Sequence, residues 1–460
     1  MAEELDTIPS EVPEVHPKVD ITKGSVLRNV LYMGIPSMIG FGASTIYSLT
    51  DIFWVSRLGT APVAALTLFG AIAWVMGSAN QIVGTGSVAL VSRRFGERNV
   101  EATRDVIRQT LLLKASLAII MGAVGLLIVG PVLRLMNAAP ETEAYALQYG
   151  SIYFYGLPFM FCSYTVYTAL RGVGDAPKAM YIMLLSTGLN VGLDPLFMFG
   201  FGMGVPGAAI ATVLSAAIAV FAGLWVLSSG RANITVRGWV HFKPRIGIML
   251  EILGIGAPAG INGLLRSLSH WLVATLIATF GTVIVAAYGI AVRVMDLGIL
   301  FGVGLELGSS AIVGQNLGAK QKERAHETVV KATLLVLALA GALGALEFAF
   351  ATPILSVFAK DPEVLAAGAV LLRFFAVVQI FIAMHIVLSS AFWGSGDTWP
   401  PTVIAAVVEW GIQIPLILAA IHVWKTSEVG VWWAMVAATA VEVTMTYLWF
   451  SRGKWKDRVV

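Results

Sequence analysis

Charge is scarce in this chain. Asp, Glu, Lys and Arg make up only 12% of its 460 residues, against the roughly 25% of an ordinary soluble domain. With 57% hydrophobic residues and a mean hydropathy of +0.82, that shortage excludes a water-soluble globular fold. Cysteine is nearly absent: Cys162 stands alone, which excludes an intrachain disulfide and any Cys-based zinc site. The six histidines are dispersed, with no HExxH or Walker pattern. Basic residues never interleave with aromatics in the manner of a nucleic-acid-binding face, so no nucleic-acid partner is expected. The alternation in ~10-residue segments that marks an outer-membrane barrel is missing as well. The glycines of GFGMGVPG, from Gly200, follow no strand and join two apolar runs, so they do not form a nucleotide loop. No cofactor is implied.

What the chain has in abundance is apolar runs longer than the ~20 residues needed to cross a bilayer. About twelve spans begin near Val30, Ala61, Val106, Thr142, Met180, Gly207, Met249, Val283, Val329, Val364, Thr402 and Val429. Charge tests the count. If both termini are cytoplasmic, the inner segments hold 20 of the 30 Lys and Arg residues and the outer segments hold 4 (Arg57, Arg134, Lys360 and Lys425), the remaining six lying within or at the ends of spans. Such a bias fixes orientation, and an odd span count would scramble it. Residues 1–27, polar and without a cleavable signal pattern, read as a cytoplasmic tail. Trp410, Trp424, Trp432 and Trp433 suit membrane-interface anchors.

The runs repeat. GIP at Gly34 recurs as GAP at Gly256, VAAL at Val63 as VAAY at Val285, RRFGERN at Arg93 as GQNLGAKQ around Gly318, PE at Pro140 again at Pro362, and RGVGD at Arg171 as WGSGD at Trp393, all 222 residues apart. An even number of spans between copies gives both the same orientation, so the repeats are related by a pseudo-twofold axis along the membrane normal. The expected fold is an all-α integral membrane protein with about twelve transmembrane helices in two six-helix lobes, 28–228 and 247–452. A basic cytoplasmic connector, 229–246, joins them, and a basic tail, 453–460, follows. Two lobes facing a central cavity suit alternating access.

An ionised carboxylate in hydrocarbon costs at least ~2.5–3.5 kcal/mol, so an embedded acid needs a partner, a proton or a water-filled cavity. Asp51, inside YSLTDIFWV, and Asp194 are the two in the first lobe, at nearly matching depths in the outer half. Asn190 lies one helical turn below Asp194. Thr212 and Tyr149 occupy comparable depths on the sixth and fourth spans, and Tyr47 lies one turn before Asp51. Two carboxylates, an amide oxygen and a hydroxyl are hard ligands suited to a small hard cation, and paired carboxylates also hold a proton between them. Ordinary helix-packing hydrogen bonds are the alternative for Asn190, Thr212 and Tyr149. Pro36, some fifteen residues before Asp51, removes a backbone hydrogen bond and marks a site where the helix can bend, or a static kink.

Positions 222 residues after Asp51 and Asp194 are Val273 and Leu416. The second lobe instead embeds Arg266, His270, Arg293, Asp296, Glu306, Glu347, Glu409 and Glu442. Arg293 and Asp296 are spaced to neutralise each other. Arg266 and His270 share a face and would line a substrate or proton path, or else Arg266 pairs structurally with Glu409 or Glu442.

The chain resembles the multidrug and toxic compound extrusion family in its duplicated twelve spans, in RRFGERN with GQNLGAKQ, in RGVGD with WGSGD, in the first-span proline followed by TDIFWV, and in LNVGLDPLFMFGFGMGVPGAAIAT from Leu189 to Thr212. The likeness covers nearly everything after residue 27 and is greatest to the branch with its acidic residues in the first lobe, named after a DNA-damage-inducible bacterial member. It implies a cation-coupled antiporter, not an enzyme, exporting organic, often cationic or amphipathic compounds across the plasma membrane. It further implies that Asp51, Asp194, Asn190 and Thr212 bind a proton or, as metal, sodium, with Tyr149 beside them and Pro36 as the bending point. A monomer surrounded by lipid is expected. Two other readings stand beside it: a flippase of a lipid-linked saccharide, which calls for extra spans and a strongly basic cavity, and a polytopic membrane enzyme, which calls for a sizeable interfacial loop.

Overall fold

A computed structural model describes residues 19–239 and 242–460. The expected tail 1–27 therefore lies outside the described residues up to residue 18, as do two residues of the connector. Twelve long helices appear among the described residues: α1 Val26–Ser56, α2 Thr60–Gly96, α3 Val100–Leu135, α4 Pro140–Gly172, α5 Ala176–Gly200, α6 Val205–Ser228, α7 Ile246–Phe280, α8 Thr282–Gly318, α9 Lys322–Ala349, α10 Pro362–Ser395, α11 Trp399–Val423 and α12 Glu428–Ser451. Eleven are long and apolar enough to cross a membrane, by length and composition. The other is α4, which carries Gln148, Ser151 and several tyrosines, of which Tyr149 and Tyr167 are buried.

The helices start where the chain chemistry lets them. Asn99 Oδ1 accepts the Ala102 amide at 3.0 Å, and Asp361 Oδ1 accepts the Glu363 amide at 2.9 Å, each satisfying a first-turn donor that the helix itself leaves unpaired. Pro140 and Pro362 open α4 and α10, where a missing N–H costs nothing.

The duplication is visible in the backbone. Left-handed turns recur in register: Arg98 with Lys320 (φ 61° and 60°), Gly174 with Gly396 (79° and 80°), and Gly59 with Gly281 (126° and 101°). A π-helical stretch closes α5 at Leu196–Gly200, and its counterpart closes α11 at Ala419–Val423. Helices α1–α6 form one lobe and α7–α12 the other.

The lobes touch through α1 against α8, α2 against α7 and α2 against α8. The first two contacts exchange under the pseudo-twofold. Glycines make them. A Cβ on Gly256 would sit 1.8 Å from the Ile82 carbonyl oxygen, one on Gly86 2.0 Å from that of Ile252, and one on Gly96 2.1 Å from that of Gln315. Gly308 likewise meets the Met33–Gly34 backbone at 2.8 Å. All these positions lie toward the end of the molecule where the described chain begins and ends. Where the contacts stop, a cavity of about 530 Å³ begins, lined by Gly70, Trp74, Gly77 and Gln81 of α2 and by Gly260 and Gly263 of α7. The molecule is thus packed shut at the terminal end and separated further along.

The terminal end is also strapped. Asp20 Oδ2 accepts from Arg98 of the first lobe at 2.6 Å, while Arg324 of the second lobe donates to the Lys23 and Gly24 carbonyls at 2.6 and 2.8 Å. Behind α12, Lys322 pairs with Asp457 at 2.5 Å and Arg93 donates to the Arg458 carbonyl at 3.3 Å.

Candidate functional site

Four helices deliver the first-lobe polar residues to one place. Asp51 comes from α1, Asn190 and Asp194 from the last α-helical turns of α5, Thr212 from α6 and Tyr149 from α4. Asp194 precedes Pro195 and the π-helical stretch, so the regular hydrogen-bond ladder of α5 ends beside the carboxylate. Gly207 lets α6 approach that stretch, since a Cβ there would be 2.8 Å from the Met198 amide nitrogen. On the α2 side, Phe69, Tyr149, Tyr153 and Phe154 wall the pocket with edge-to-face rings 5.1 to 5.5 Å apart.

The cluster is buried: Asp194 and Asn190 are 0% exposed, Thr212 2% and Asp51 8%. Asn190 Nδ2 donates to Asp194 Oδ1 at 3.2 Å, and Thr212 Oγ1 donates to Asp51 Oδ2 at 3.5 Å. The carboxyl groups of Asp51 and Asp194 lie within side-chain reach of each other and of Asn190. Tyr47 and Tyr149 adjoin Thr212. Among the described residues no Lys, Arg or His approaches either aspartate within 4 Å. Three buried oxygens are left without a hydrogen-bond donor: Asp51 Oδ1, Asn190 Oδ1 and Asp194 Oδ2. A buried acceptor without a donor costs ~1–3 kcal/mol, more when charged. A small cation or a proton fits this donor set, because every orphan is a hard oxygen and no resident positive charge competes.

Pro36 lies inside α1, which stays helical from Val26 to Ser56. Ser37 Oγ donates to the Met33 carbonyl at 2.7 Å, anchoring the turn that the proline loosens. Just beyond, Gly304 of α8 comes so close that a Cβ on it would be 2.2 Å from Met38 Cγ. The loosened turn therefore sits at the edge of the inter-lobe contact.

The second lobe places its charges differently from the path expected of Arg266 and His270. Arg266 Nη1 pairs with Glu409 Oε1 at 2.9 Å and its Nη2 bonds Glu442 Oε1. Nη2 also meets His385 Nε2 at 2.9 Å, and Nε donates to Asn262 Oδ1 at 3.3 Å. His385 Nδ1 stands 2.8 Å from Thr446 Oγ1, which in turn donates to the Glu442 carbonyl at 2.7 Å. Of the two readings of Arg266, structural pairing is what the geometry carries. His270, one turn on, is exposed and outside these hydrogen bonds. Arg293 and Asp296 are both exposed, and among the described residues no ion pair within 4 Å joins them; their mutual neutralisation is limited to a through-space field. The sequence reading missed His385 and Thr446 as members of this network. Their only signal was two polar side chains inside apolar runs.

A scan against family models matches MatE twice, over residues 36–196 and 258–418, two stretches at the same 222-residue spacing as the motifs. The probable multidrug resistance protein YoeA of Bacillus subtilis is 29% identical over 95% of this chain and 96% of its own length. The probable multidrug resistance protein NorM of Thermotoga maritima is 24% identical over 98% and 95%. Among solved structures, the outward-facing conformation of a multidrug resistance MATE family transporter of the MOP superfamily superposes with a TM-score of 0.89 at 26% identity, covering 97% of this chain and 100% of that one.

Proposed function

Because the chain belongs to the MatE family of multi-pass membrane transporters, we propose that it exports organic, often cationic or amphipathic compounds in exchange for a proton or sodium ion taken up at Asp51 and Asp194. Similarity to relatives named probable multidrug resistance proteins and to one named a multidrug export protein supports organic cargo. The observation that carries the coupling is the set of three donor-less buried oxygens on Asp51, Asn190 and Asp194.

The lobes 28–228 and 247–452 act as the two moving bodies, joined through the connector 229–246. With both termini cytoplasmic, as the basic-residue bias supports, the closed end faces the cytoplasm and the cavity opens outward in a plasma-membrane monomer. In that state the ion neutralises the aspartate pair, with Asn190 and Thr212 completing its oxygens. Asp51 is then relieved of repulsion from Asp194, and α1 relaxes at the turn that Pro36 loosens. Tyr47 and Tyr149, packed on Thr212, sense the shift, and cargo leaves as the pocket closes. Antiport requires the ion to favour one state over the other, since a ligand with equal affinity for both shifts nothing.

Ethidium and norfloxacin export from cells expressing Asp51→Asn or Asp194→Asn tests this reading. Loss of export in both variants at normal membrane levels is expected; wild-type export by both removes the coupling role.

A further inference from the structure

One acid of the second lobe stands apart from both the aspartate pocket and the Arg266 network. Glu347 lies in the last turn of α9 and is 1% exposed; Gln379 of α10 is 0% exposed. Gln379 Nε2 donates to Glu347 Oε2. The other two oxygens of the pair, Glu347 Oε1 and Gln379 Oε1, have no hydrogen-bond partner. Glycines bring the neighbouring backbones close around them. A Cβ on Gly298 of α8 would stand 2.0 Å from Gln379 Oε1, and one on Gly344 of α9 would stand 2.6 Å from the Ala376 carbonyl oxygen and 3.2 Å from Gln379 Nε2. The charged side chains of these three helices lie elsewhere. Arg293 and Asp296 of α8 are exposed, Arg373 of α10 is exposed with its guanidinium carbon 5.9 Å from the centre of the Phe348 ring, and the other charges of α9 fall in its first three turns. Among the described residues no Lys, Arg or His pairs with Glu347 within 4 Å.

The first lobe shows that the fold does not require this pair. The approach of Gly344 to Ala376 recurs 222 residues earlier, where a Cβ on Gly122 would stand 2.7 Å from the Phe154 carbonyl oxygen. There the places of Glu347, Gln379 and Gly298 are taken by Gly125, Leu157 and Met76, all buried and all apolar. Packed apolar side chains are commonly as stable as buried charged groups or more so, so helix packing alone gives no reason to keep an acid here.

An ionised Glu347 would be buried without a cation, at the carbonyl end of α9, where the helix dipole opposes negative charge. A hard metal cation gathers about six oxygens, and this packing offers two. A single proton removes the charge and turns Oε1 into a donor, in a pocket whose other orphan, Gln379 Oε1, is an acceptor.

We propose that Glu347 and Gln379 form a proton-binding site in the second lobe, separate from Asp51 and Asp194, whose bound proton clasps α9 to α10 beside α8. Gly304 and Gly308 of α8 meet α1 of the first lobe, so the clasp backs the inter-lobe contact. The site goes beyond the export reading and is tested without cargo.

The test uses the full chain in lipid nanodiscs, carrying Asp51→Asn and Asp194→Asn so that the first-lobe acids contribute nothing. At neutral pH the infrared difference between this protein and the same protein with Glu347→Gln shows the carbonyl stretch of a protonated carboxylic acid, shifted in deuterated water. Carboxylate bands in its place overturn the site. Glu347→Gln keeps a neutral, hydrogen-bonding side chain, so raising the pH speeds hydrogen exchange of the amides at the end of α9 by at least about tenfold more with Glu347 present than in the variant, the scale of one buried hydrogen bond. Equal acceleration in both overturns the clasp. If Glu347→Gln does not accumulate, Glu347→Leu with Gln379→Leu, which copies the apolar filling of the first lobe, replaces it in both measurements, with the same results deciding.

Discussion

The two lobes share a backbone down to their left-handed turns and terminal π-helical stretches, yet they treat buried negative charge in opposite ways. In the second lobe Glu409 and Glu442 are held by Arg266, a cation tethered to the chain. In the first, Asp51 and Asp194 have no resident cation and three oxygens of their pocket stay unpaired. A tethered counter-charge gives a fixed structure; a missing one gives a site whose charge must be completed from outside. Duplication supplied the scaffold twice, and divergence of a few side chains decided which acids are tethered to an arginine and which are left to respond to an ion.

The comparison breaks most completely if the first lobe's acids are made neutral. Asp51→Asn with Asp194→Asn should lower export by a factor within the ~5–150-fold range of a typical coupling energy, measured as norfloxacin export per unit of membrane protein. Next in size is the tethered pair. Arg266→Met leaves two carboxylates buried without their guanidinium, Glu442 keeping only His385 at 3.4 Å, and thermal unfolding in detergent should report a loss of about 3–5 kcal/mol. Adding Glu409→Gln and Glu442→Gln should recover part of it, because the cost lies in the orphaned charges and not in the missing side chain. A loss that persists in the triple variant would mean that Arg266 contributes by packing.

Gly256→Ala addresses the seam that both lobes share. Its new Cβ would press on the Ile82 carbonyl oxygen, a clash of the overpacking kind that costs ~1–3 kcal/mol. A cysteine placed further along the same seam, where Ser92 meets Gly314, by Ser92→Cys should become more reactive to thiol reagents from the terminal side; unchanged reactivity would show that the seam yields without opening. The smallest effect sharpens the comparison within the pocket. Tyr149→Phe removes one hydroxyl beside Thr212, and the apparent ion affinity should weaken by about 2–10-fold, the scale of one hydrogen bond, with maximal export little changed.

Much of the fold was legible before any coordinates. Span number and the repeat were readable because hydrophobic length and a fixed 222-residue spacing survive divergence, and the first-lobe pocket was readable because an acid in a long apolar run has few reasons to be there. What escaped was pairing between helices distant in sequence. Arg266 sits 143 and 176 positions from its two glutamates, and no local pattern distinguishes a path-lining arginine from a neutralised one. Arg171 adjoins the GVGD turn in sequence, yet it ends α4 and is buried. That Lys114 is buried without a hydrogen-bond partner is likewise a tertiary fact.

The account stands on the aspartate pair of the first lobe taking up the ion that drives export. The most direct measurement is cargo movement in proteoliposomes under pH and sodium gradients imposed one at a time, for wild type and for Asp51→Asn. One gradient should drive wild-type movement against the cargo's own gradient, and the variant should respond to neither. Equal movement with both gradients collapsed, or a gradient response that survives in Asp51→Asn, would contradict it.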